Sequence, residues 1–189
     1  MTTLKIVGLC GSLRAGSINR MALNLAGELM PASMRLEVVD WRDIPMFDAD
    51  LLAQGVPAAV QTLAEQLRSA DGVLIATPEY NFSLPGAFKN ALDWISRGDN
   101  QPFANKPVAM LSATPGPLGG ARVQYDLRRV MLFLNAMVLV KPEIFIGGAG
   151  PKFDASGRCI DDTTRQFVGA QMAAFEKWIK ATAAMSSAT

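Results

Sequence analysis

The sequence contains no histidine. This absence excludes catalytic triads and dyads that use histidine as the general base, and it removes the side chain that most often binds metals. The two cysteines, Cys10 and Cys159, are far apart and lack a CxxC spacing, so we expect neither a disulfide framework nor a zinc knuckle. We expect no metal site, and chemistry must come from carboxylates, hydroxyls or a bound cofactor.

Neither charge sign dominates, and long apolar runs are missing. The formal charge of +1, from 18 basic and 17 acidic residues, argues against a nucleic-acid or anionic-lipid surface. No run approaches the roughly 20 apolar residues of a membrane span, and the N-terminal residues lack a signal-peptide pattern. We therefore expect a cytoplasmic protein with small-molecule or protein partners. Its 189 residues, of which 50% are hydrophobic, predict a single domain over residues 1–189 with a frayed tail at 181–189.

Apolar runs alternate with helical periodicity along the chain. Runs typical of buried strands occupy residues 4–9, 36–39, 73–76 and 108–112, and a fifth strand, interrupted near Pro142, covers 137–140 and 144–146. Helical spacing begins at Ile18 and returns at residues 56–67, 84–95, 127–134 and 167–179. Residues 40–50 are expected to be irregular, and Ser83 is expected to cap the third helix. Continuous apolar strands between helices predict a parallel sheet covered on both faces, hence three layers.

Residues 11–20, GSLRAGSINR, follow the first strand directly and lead into the first helix. Their glycines let backbone amides turn inward, the serines and asparagine are short polar donors, and the arginines add positive charge at a helix N-terminus. This combination predicts a phosphate-binding loop.

Three nucleotide classes compete for that loop. A triphosphate-binding P-loop has lysine after its second glycine, but Ser17 stands there. The glycines Gly8, Gly11 and Gly16 do not match a dinucleotide fingerprint, and Asp40 is better explained as a solvated loop residue. A ligand with a terminal monophosphate fits best, and flavin mononucleotide (FMN) is the familiar ligand of this kind in a flavodoxin-like fold.

Two more unusual loops follow the third and fourth strands, at residues 77–86 and 114–120. If the strand order is 2-1-3-4-5, all three loops meet at the carboxyl edge of the sheet, where such folds bind ligands. Each loop also has a simpler interpretation: Glu79 is solvated in a rigid turn, or residues 114–120 are a flexible connection.

The segments GSLRAGSINR, TPEYNFSLPGAFKNALDWISR and ARVQYDLRR resemble the soluble NAD(P)H-dependent FMN reductase family, and within it the quinone and chromate reductases. The resemblance spans nearly the whole chain in the right order. It implies a flavodoxin-like three-layer α/β/α sandwich with a five-stranded parallel sheet of order 2-1-3-4-5, bound FMN, and a homodimer or homotetramer.

The resemblance also implies roles for individual residues. The FMN phosphate and ribityl chain would be held by Ser12, Arg14, Ser17, Ile18, Asn19 and Arg20. The isoalloxazine ring would be lined by Pro78, Glu79, Tyr80, Asn81 and Phe82, and approached from its other side by Thr114 and Gly116. A contact network between subunits would use Arg122, Tyr125 and Glu143, together with Phe82. Tetrameric members carry tyrosine where this chain has Phe82, so one expected hydrogen bond is missing.

The implied activity is reduction of quinones, with chromate, azo compounds or free flavin as other acceptors. NADPH or NADH would pass hydride to flavin N5 and leave before the acceptor enters, so that no side chain acts as a catalytic group. A flavodoxin-like electron carrier and a non-catalytic FMN-binding module are the alternatives. The nearly neutral charge disfavours the carrier, because carriers usually dock through acidic surfaces.

Overall fold

Strands and helices alternate through the computed structural model, which describes residues 3–98 and 100–186. Within these ranges the elements are β1 (Leu4–Cys10), α1 (Ile18–Glu28), β2 (Met34–Val39), α2 (Ala49–Ala53), α3 (Ala58–Arg68), β3 (Gly72–Ala76), α4 (Gly86–Ile95), β4 (Pro107–Ala113), α5 (Ala121–Phe133), β5 (Met137–Val138), β6 (Ile144–Ile146), a short 3-10 helix (Gly150–Lys152) and α6 (Asp162–Ser186).

The sheet is parallel, with strand order β2-β1-β3-β4-β5. β6 also pairs with β4, at residues 111–113, whereas β5 pairs at Pro107 and Val108. The predicted interrupted fifth strand is therefore confirmed as two short strands on one edge of β4. The predicted flavodoxin-like order is confirmed as well.

Alternate residues of each strand face opposite layers. Ile6 and Leu74 pack with α1 and α6 in one apolar cluster, whereas Val7 and Ile75 pack with α3, α4 and α5 in the other. Cys10, at the end of β1, is buried. The two clusters give the three predicted layers, and the carboxyl ends of β1, β3 and β4 lie side by side.

Three local predictions differ from the structure. Ser83 does not cap α4, whose N-cap is Pro85, because Ser83 is held in a hairpin with Tyr80. The irregular stretch contains the short helix α2, whose first turn is capped by Asp48. α6 begins earlier than predicted, at a polar turn capped by Asp161, and its alanine-rich end stays helical to Ser186. Residues 187–189 of the predicted tail lie outside the described residues.

Within residues 3–98 and 100–186, no helix combines the length and apolar character needed to cross a bilayer.

Candidate active site

The loops after β1 and β3 touch directly. Gly11 donates its N–H to the carbonyl of Ala76 at 2.8 Å. A Cβ at Gly11 would lie 2.3 Å from Thr77 Oγ1, far inside van der Waals contact. Glycine is therefore needed here for close approach of the two loops, not for an unusual φ.

Several backbone N–H donors between the end of β1 and the first turn of α1 are unpaired. Ser17 is the N-cap, and its hydroxyl accepts the N–H of Arg20 at 3.4 Å. Within the described chain, no protein acceptor takes the N–H groups of Ser12, Leu13, Ala15, Gly16, Ile18 and Asn19. Such a set of amides at a helix N-terminus favours an anion.

Arg14 and Ser12 shape this loop. Arg14 Nη2 donates to the carbonyl of Gly16 at 2.6 Å, and the Arg14 N–H points to Ser12 Oγ at 3.4 Å. The Ser12 side chain is nearly buried, whereas that of Arg14 is exposed. Arg14 is thus bent over the loop with its charge available to an anion.

We call the phosphate-binding loop, residues 11–20, the cradle. The side chain of Asn19 lies elsewhere than those of the other cradle residues. It is buried, its Nδ2 donates to the carbonyl of Ala113 at 2.9 Å, and its Oδ1 accepts the N–H of Ala113 at 2.9 Å. The side chain therefore links α1 to the end of β4, beneath the loop.

Glu79 turns away from solvent toward α5, so its interpretation as a solvated turn residue is wrong. Its side chain is only 11% exposed, and Oε1 lies 3.0 Å from Nε of Arg122. Oε2 accepts the N–H of Val123 at 3.2 Å. Gly120, the N-cap of α5, offers no capping side chain, so Glu79 supplies the cap from another loop.

Residues 80–83 form a tight hairpin next to Glu79. Tyr80 and Ser83 exchange two backbone hydrogen bonds, of 3.0 and 2.9 Å. The two residues between them, Asn81 and Phe82, both have left-handed backbones, with φ of 49° and 68°. This is common for asparagine but costs phenylalanine about 1–2 kcal/mol, and such strain is concentrated at functional sites. The Asn81 and Phe82 N–H groups have no acceptor within the described residues.

The loop after β4 is anchored, so the interpretation as a flexible connection is wrong. Thr114 donates its N–H to Ile146 at 3.0 Å, and Gly148 donates to the carbonyl of Gly116 at 3.0 Å. A Cβ at Gly147 would lie 2.3 Å from the carbonyl oxygen of Pro117. The backbone of residues 114–117 is therefore packed against the end of β6.

Sequence reasoning missed two buried polar residues under this loop. Ser112 Oγ donates to the carbonyl of Gly119 at 2.6 Å. Gln124 Nε2 donates to Ser112 Oγ at 2.8 Å and to the carbonyl of Ile144 at 2.7 Å. A serine in an otherwise apolar strand and a glutamine on the inner face of α5 were the signals that could have revealed them.

Trp41, in the stretch after β2 that was expected to be irregular, also supports the first loop. It is buried, its Nε1 donates to the carbonyl of Cys10 at 2.9 Å, and its ring lies 5.5 Å from that of Phe88. The tryptophan thus fixes the end of β1 from which the cradle departs.

A family profile for NADPH-dependent FMN reductase matches residues 4–151. The chain belongs to the NADPH-dependent FMN reductase family. It is 46% identical over 177 residues to an NAD(P)H-dependent FMN reductase of Pseudomonas aeruginosa, covering 94% of this chain and 96% of the relative. It is 47% identical over 180 residues to a quinone reductase of Escherichia coli K12, with coverage of 94% and 96%.

A solved structure supports the same family. The flavoenzyme NAD(P)H:(acceptor) oxidoreductase of Paracoccus denitrificans has a TM-score of 0.87 and 30% sequence identity, over 95% of this chain and 99% of that one.

The site fits the FMN of this reductase family. The unpaired amides of the cradle, with the Ser17 hydroxyl and the Arg14 charge, match the acceptor oxygens of a phosphate monoester. Across the carboxyl edge of the sheet, the free N–H groups of Asn81 and Phe82 offer donors to the polar edge of a flat ring.

The four residues predicted for subunit contacts have partners within one chain. The Arg122 guanidinium carbon lies 3.9 Å from the centre of the Phe82 ring. Glu143 pairs with Lys141 at 2.6 Å and with Arg128 at 3.7 Å. Tyr125 is exposed, with its ring 6.4 Å from that of Phe145. Within the described residues, no ion pair, hydrogen bond or ring contact joins Glu143 to Arg122 or Tyr125.

A groove of about 630 Å³ lies between α4 and α5, and it touches the loop after β3 at Ser83, Leu84 and Gly86. Its walls carry both charges, from Lys89, Asp126 and Arg129, and the exposed ring of Phe133. A site that binds a thin, flat molecule across exposed loops need not be a deep cavity.

Proposed function

We propose that the protein is an FMN-dependent oxidoreductase that transfers electrons from NADPH or NADH to quinones. The observation that carries this proposal is the meeting of three loops at one sheet edge: an anion cradle, a strained hairpin with free amides, and an anchored glycine-rich turn. Relatives named as quinone reductases, and a potato NAD(P)H:quinone oxidoreductase 42% identical over 179 residues, support the acceptor class.

Each loop has a separate task in this proposal. The cradle binds the phosphate and ribityl chain through Ser12, Arg14, Ser17, Ile18 and Arg20, with Asn19 fixing the first turn of α1 to β4. The isoalloxazine ring is bordered by Pro78, Glu79, Tyr80, Asn81 and Phe82 on one side and by Thr114 and Gly116 on the other. Bound there, FMN would supply a hydride-accepting centre for NADPH or NADH and a two-electron donor for the acceptor.

The chain's own donors favour the reduced state of the cofactor. Backbone N–H groups held in place by the Tyr80 hairpin are already oriented, so they need no reorganisation when negative charge develops on the ring. The hairpin is in turn held through Glu79 and α5. No side chain has to act as nucleophile or general base, in keeping with the absence of histidine.

The rim of the site favours flat, apolar acceptors. Large apolar side chains are exposed on all three loops, namely Leu13, Tyr80, Phe82 and Leu118. Exposed apolar groups around a cleft are typical of sites for aromatic ligands. Quinones match this rim better than chromate, which is small and charged.

Steady-state kinetics test the proposal. If one face of the ring serves donor and acceptor in turn, varying NADPH at several fixed quinone concentrations should give parallel double-reciprocal lines. Intersecting lines would show that both substrates bind together and would contradict this order of events. Absence of a flavin spectrum after FMN loading would contradict the function itself.

We also propose that the enzyme forms a homodimer or homotetramer in the cytoplasm, as a single domain. Exposed apolar residues on and beside α5, among them Tyr125, Leu132 and Phe133, support burial against a second copy. The predicted contacts through Phe82, Arg122, Tyr125 and Glu143 are part of this proposal. Sedimentation at several dilutions tests it, and Phe82→Tyr should shift dissociation to lower concentration. An unchanged monomer in both proteins would refute the assembly.

A further inference from the structure

Ser112 carries a fully buried hydroxyl near the end of β4, beneath the loop of residues 114–120. Its Oγ donates to the carbonyl of Gly119 at 2.6 Å and lies 3.2 Å from the carbonyl oxygen of Gly120. The same Oγ accepts a hydrogen bond from Nε2 of Gln124 at 2.8 Å. Ser112 therefore holds the backbone of the turn that leads from this loop into α5.

The turn that Ser112 holds consists of two glycines. Gly119 and Gly120 both have left-handed backbones, with φ of 60° and 80°. A Cβ at Gly119 would lie 2.6 Å from the carbonyl carbon of Phe145, and a Cβ at Gly120 would lie 2.9 Å from Cβ of Ser112. Glycine avoids these clashes, but it also leaves the backbone free to adopt many conformations. The Ser112 hydroxyl supplies a fixed contact that the two glycines lack.

Gln124 holds the Ser112 hydroxyl from the inner face of α5. The residue is fully buried, and its Nε2 also donates to the carbonyl of Ile144 on β6 at 2.7 Å. Its Oε1 has no hydrogen-bond partner within the described residues. An apolar side chain of similar shape would leave no buried oxygen unpaired. The glutamine is therefore better explained by the two contacts of its Nε2 than by packing.

The loop above this network turns its carbonyl groups toward the protein. The carbonyl of Gly116 accepts the N–H of Gly148 at 3.0 Å. The Pro117 carbonyl faces Gly147, where an added Cβ would lie 2.3 Å from the oxygen. In a trans peptide the C=O and N–H groups point in opposite directions, so the N–H of Leu118 points away from Gly147. Within the described residues, no protein acceptor takes the N–H groups of Gly116 and Leu118.

We propose that Ser112 is a positioning residue which, through the turn at Gly119 and Gly120, holds the free N–H groups of Gly116 and Leu118 toward the ring of bound FMN. This inference rests on the function proposed above, because it takes the loop after β4 as one side of the flavin site. Fixed N–H donors stabilise the negative charge that the ring gains on reduction, without reorganisation. Ser112 therefore sets how much more tightly the protein binds reduced FMN than oxidised FMN.

The two side chains of this network lie inside one subunit. Ser112 and Gln124 have no exposed surface, so neither side chain can contact a second copy of the chain. Their hydrogen bonds go to Gly119 and Ile144 of the same chain and to each other. The residues predicted above for subunit contacts are different ones, so replacing Ser112 removes no side chain from that interface.

The test measures the two-electron midpoint potential of bound FMN by equilibration with a reference dye during chemical reduction. In Ser112→Ala the affinity for reduced FMN should fall by about threefold to tenfold relative to that for oxidised FMN, the size expected for one hydrogen bond. This ratio corresponds to a potential about 15–30 mV lower. The dissociation constant of oxidised FMN should change less than this ratio, because the cradle is intact.

Two further variants examine the same network. Gln124→Met removes the donor to Ser112 and should lower the potential in the same direction. The double variant should show less than the sum of the two single shifts, because both substitutions remove one coupled network. Ser112→Thr keeps the hydroxyl and should restore most of the potential. If Ser112→Ala does not fold, Gln124→Met decides in its place.

Gln171→Met is the matched control. Gln171 is also a buried glutamine bound to β4, and its Nε2 donates to the carbonyls of Met110 and Pro142 at 3.0 Å each. It belongs to α6, on the face of the sheet opposite to α5. Its substitution should lower the free energy of unfolding but leave the potential unchanged. An equal fall in potential in Gln171→Met would show that the shift reports lost stability, and would overturn the proposal.

Two other results would overturn the positioning role. One is an unchanged potential in folded Ser112→Ala. The other is a shift that appears only where sedimentation, at the concentration of the measurement, shows a different assembly from that of the original protein.

Chemical reduction also separates this proposal from the proposed function, because it needs bound FMN but neither NADPH nor a quinone. A shifted potential in a protein that NADPH and NADH cannot reduce would support the positioning role and contradict the proposed function. An unshifted potential in a protein that reduces quinones would support the function and contradict the positioning role. A protein that binds no FMN would contradict both.

Discussion

Glu79 Oε1 and Arg122 Nε lie 3.0 Å apart, and this ion pair joins the loop after β3 to the first turn of α5. The same carboxylate also caps α5 through Val123. Two of the three loops of the candidate active site are thus held by one side chain. Negative charge at a helix N-terminus adds to this stabilisation.

Replacing Glu79 should loosen both attachments. Glu79→Ala removes the cap and the ion pair, so we expect the free energy of unfolding to fall by about 1–2 kcal/mol. Glu79→Gln should cost less, because its amide oxygen can still accept the Val123 N–H. Urea unfolding of the apoprotein measures both changes, with Glu65→Ala on the exposed face of α3 as the control. Equal stability of Glu79→Ala and the original protein would contradict the capping role.

The cradle predicts a specific loss of FMN affinity. Arg14→Ala and Ser17→Ala each remove a donor to the phosphate, and a charge-assisted hydrogen bond contributes about 1.5–3 kcal/mol. The FMN dissociation constant should therefore rise at least about tenfold, measured by quenching of flavin fluorescence. Arg35→Ala, at an exposed arginine of β2, should leave the constant unchanged. Unchanged FMN affinity in both variants would show that the phosphate does not bind at this loop.

Replacing Asn19 by aspartate should lower the free energy of unfolding, and the loss should depend on pH. In Asn19→Asp at neutral pH, a buried carboxylate faces the carbonyl of Ala113, which loses its donor, so stability should fall by about 2–3 kcal/mol. Burial and the facing Ala113 carbonyl raise the pKa of this introduced carboxyl more than the N-terminus of α1 lowers it, and the protonated acid can again donate to Ala113. The folded state then binds the extra proton, so the stability deficit should shrink as pH is lowered from about 8 to about 5. Unfolding curves across this range, compared with Asn19→Leu, provide the measurement. A deficit independent of pH would show that residue 19 does not face the Ala113 carbonyl.

Adding a methyl group at position 11 should push the loops after β1 and β3 apart. In Gly11→Ala the new Cβ would lie 2.3 Å from Thr77 Oγ1, so one loop must move. We expect weakened FMN binding together with lower thermal stability. Gly169→Ala is the control, because a Cβ there meets nothing within 4 Å and alanine favours the helix. Normal FMN binding by Gly11→Ala would mean that the loops need not approach so closely.

The arrangement of strands and ligand loops could be predicted from sequence because it depends on local patterns. Apolar runs marked β1, β3 and β4, and each ran directly into an unusual polar or glycine-rich segment. Parallel strands then bring those segments to one edge of the sheet, independently of the contacts that their side chains make. The interrupted last strand was visible in the same way, from apolar runs on either side of Pro142.

Side-chain direction could not be predicted, since it depends on contacts distant in sequence. Asn19 is spaced as a loop ligand but bonds to Ala113, on β4. Glu79 follows a strand like a ligand residue, yet its carboxylate caps α5. Serine is a common helix cap, but the backbone of Ser83 pairs with Tyr80 in the hairpin, so Ser83 does not cap α4. In each case tertiary contacts determined the role of a residue whose local pattern allowed several.

Anaerobic reduction of the FMN-loaded protein tests the central claim most directly. Adding NADPH or NADH without oxygen should bleach the visible flavin absorption, and adding a quinone afterwards should restore it. Bleaching that is reversed by quinone shows both halves of the reaction at one cofactor. A flavin that binds but stays oxidised with both nucleotides would contradict the account and leave an electron carrier as the explanation.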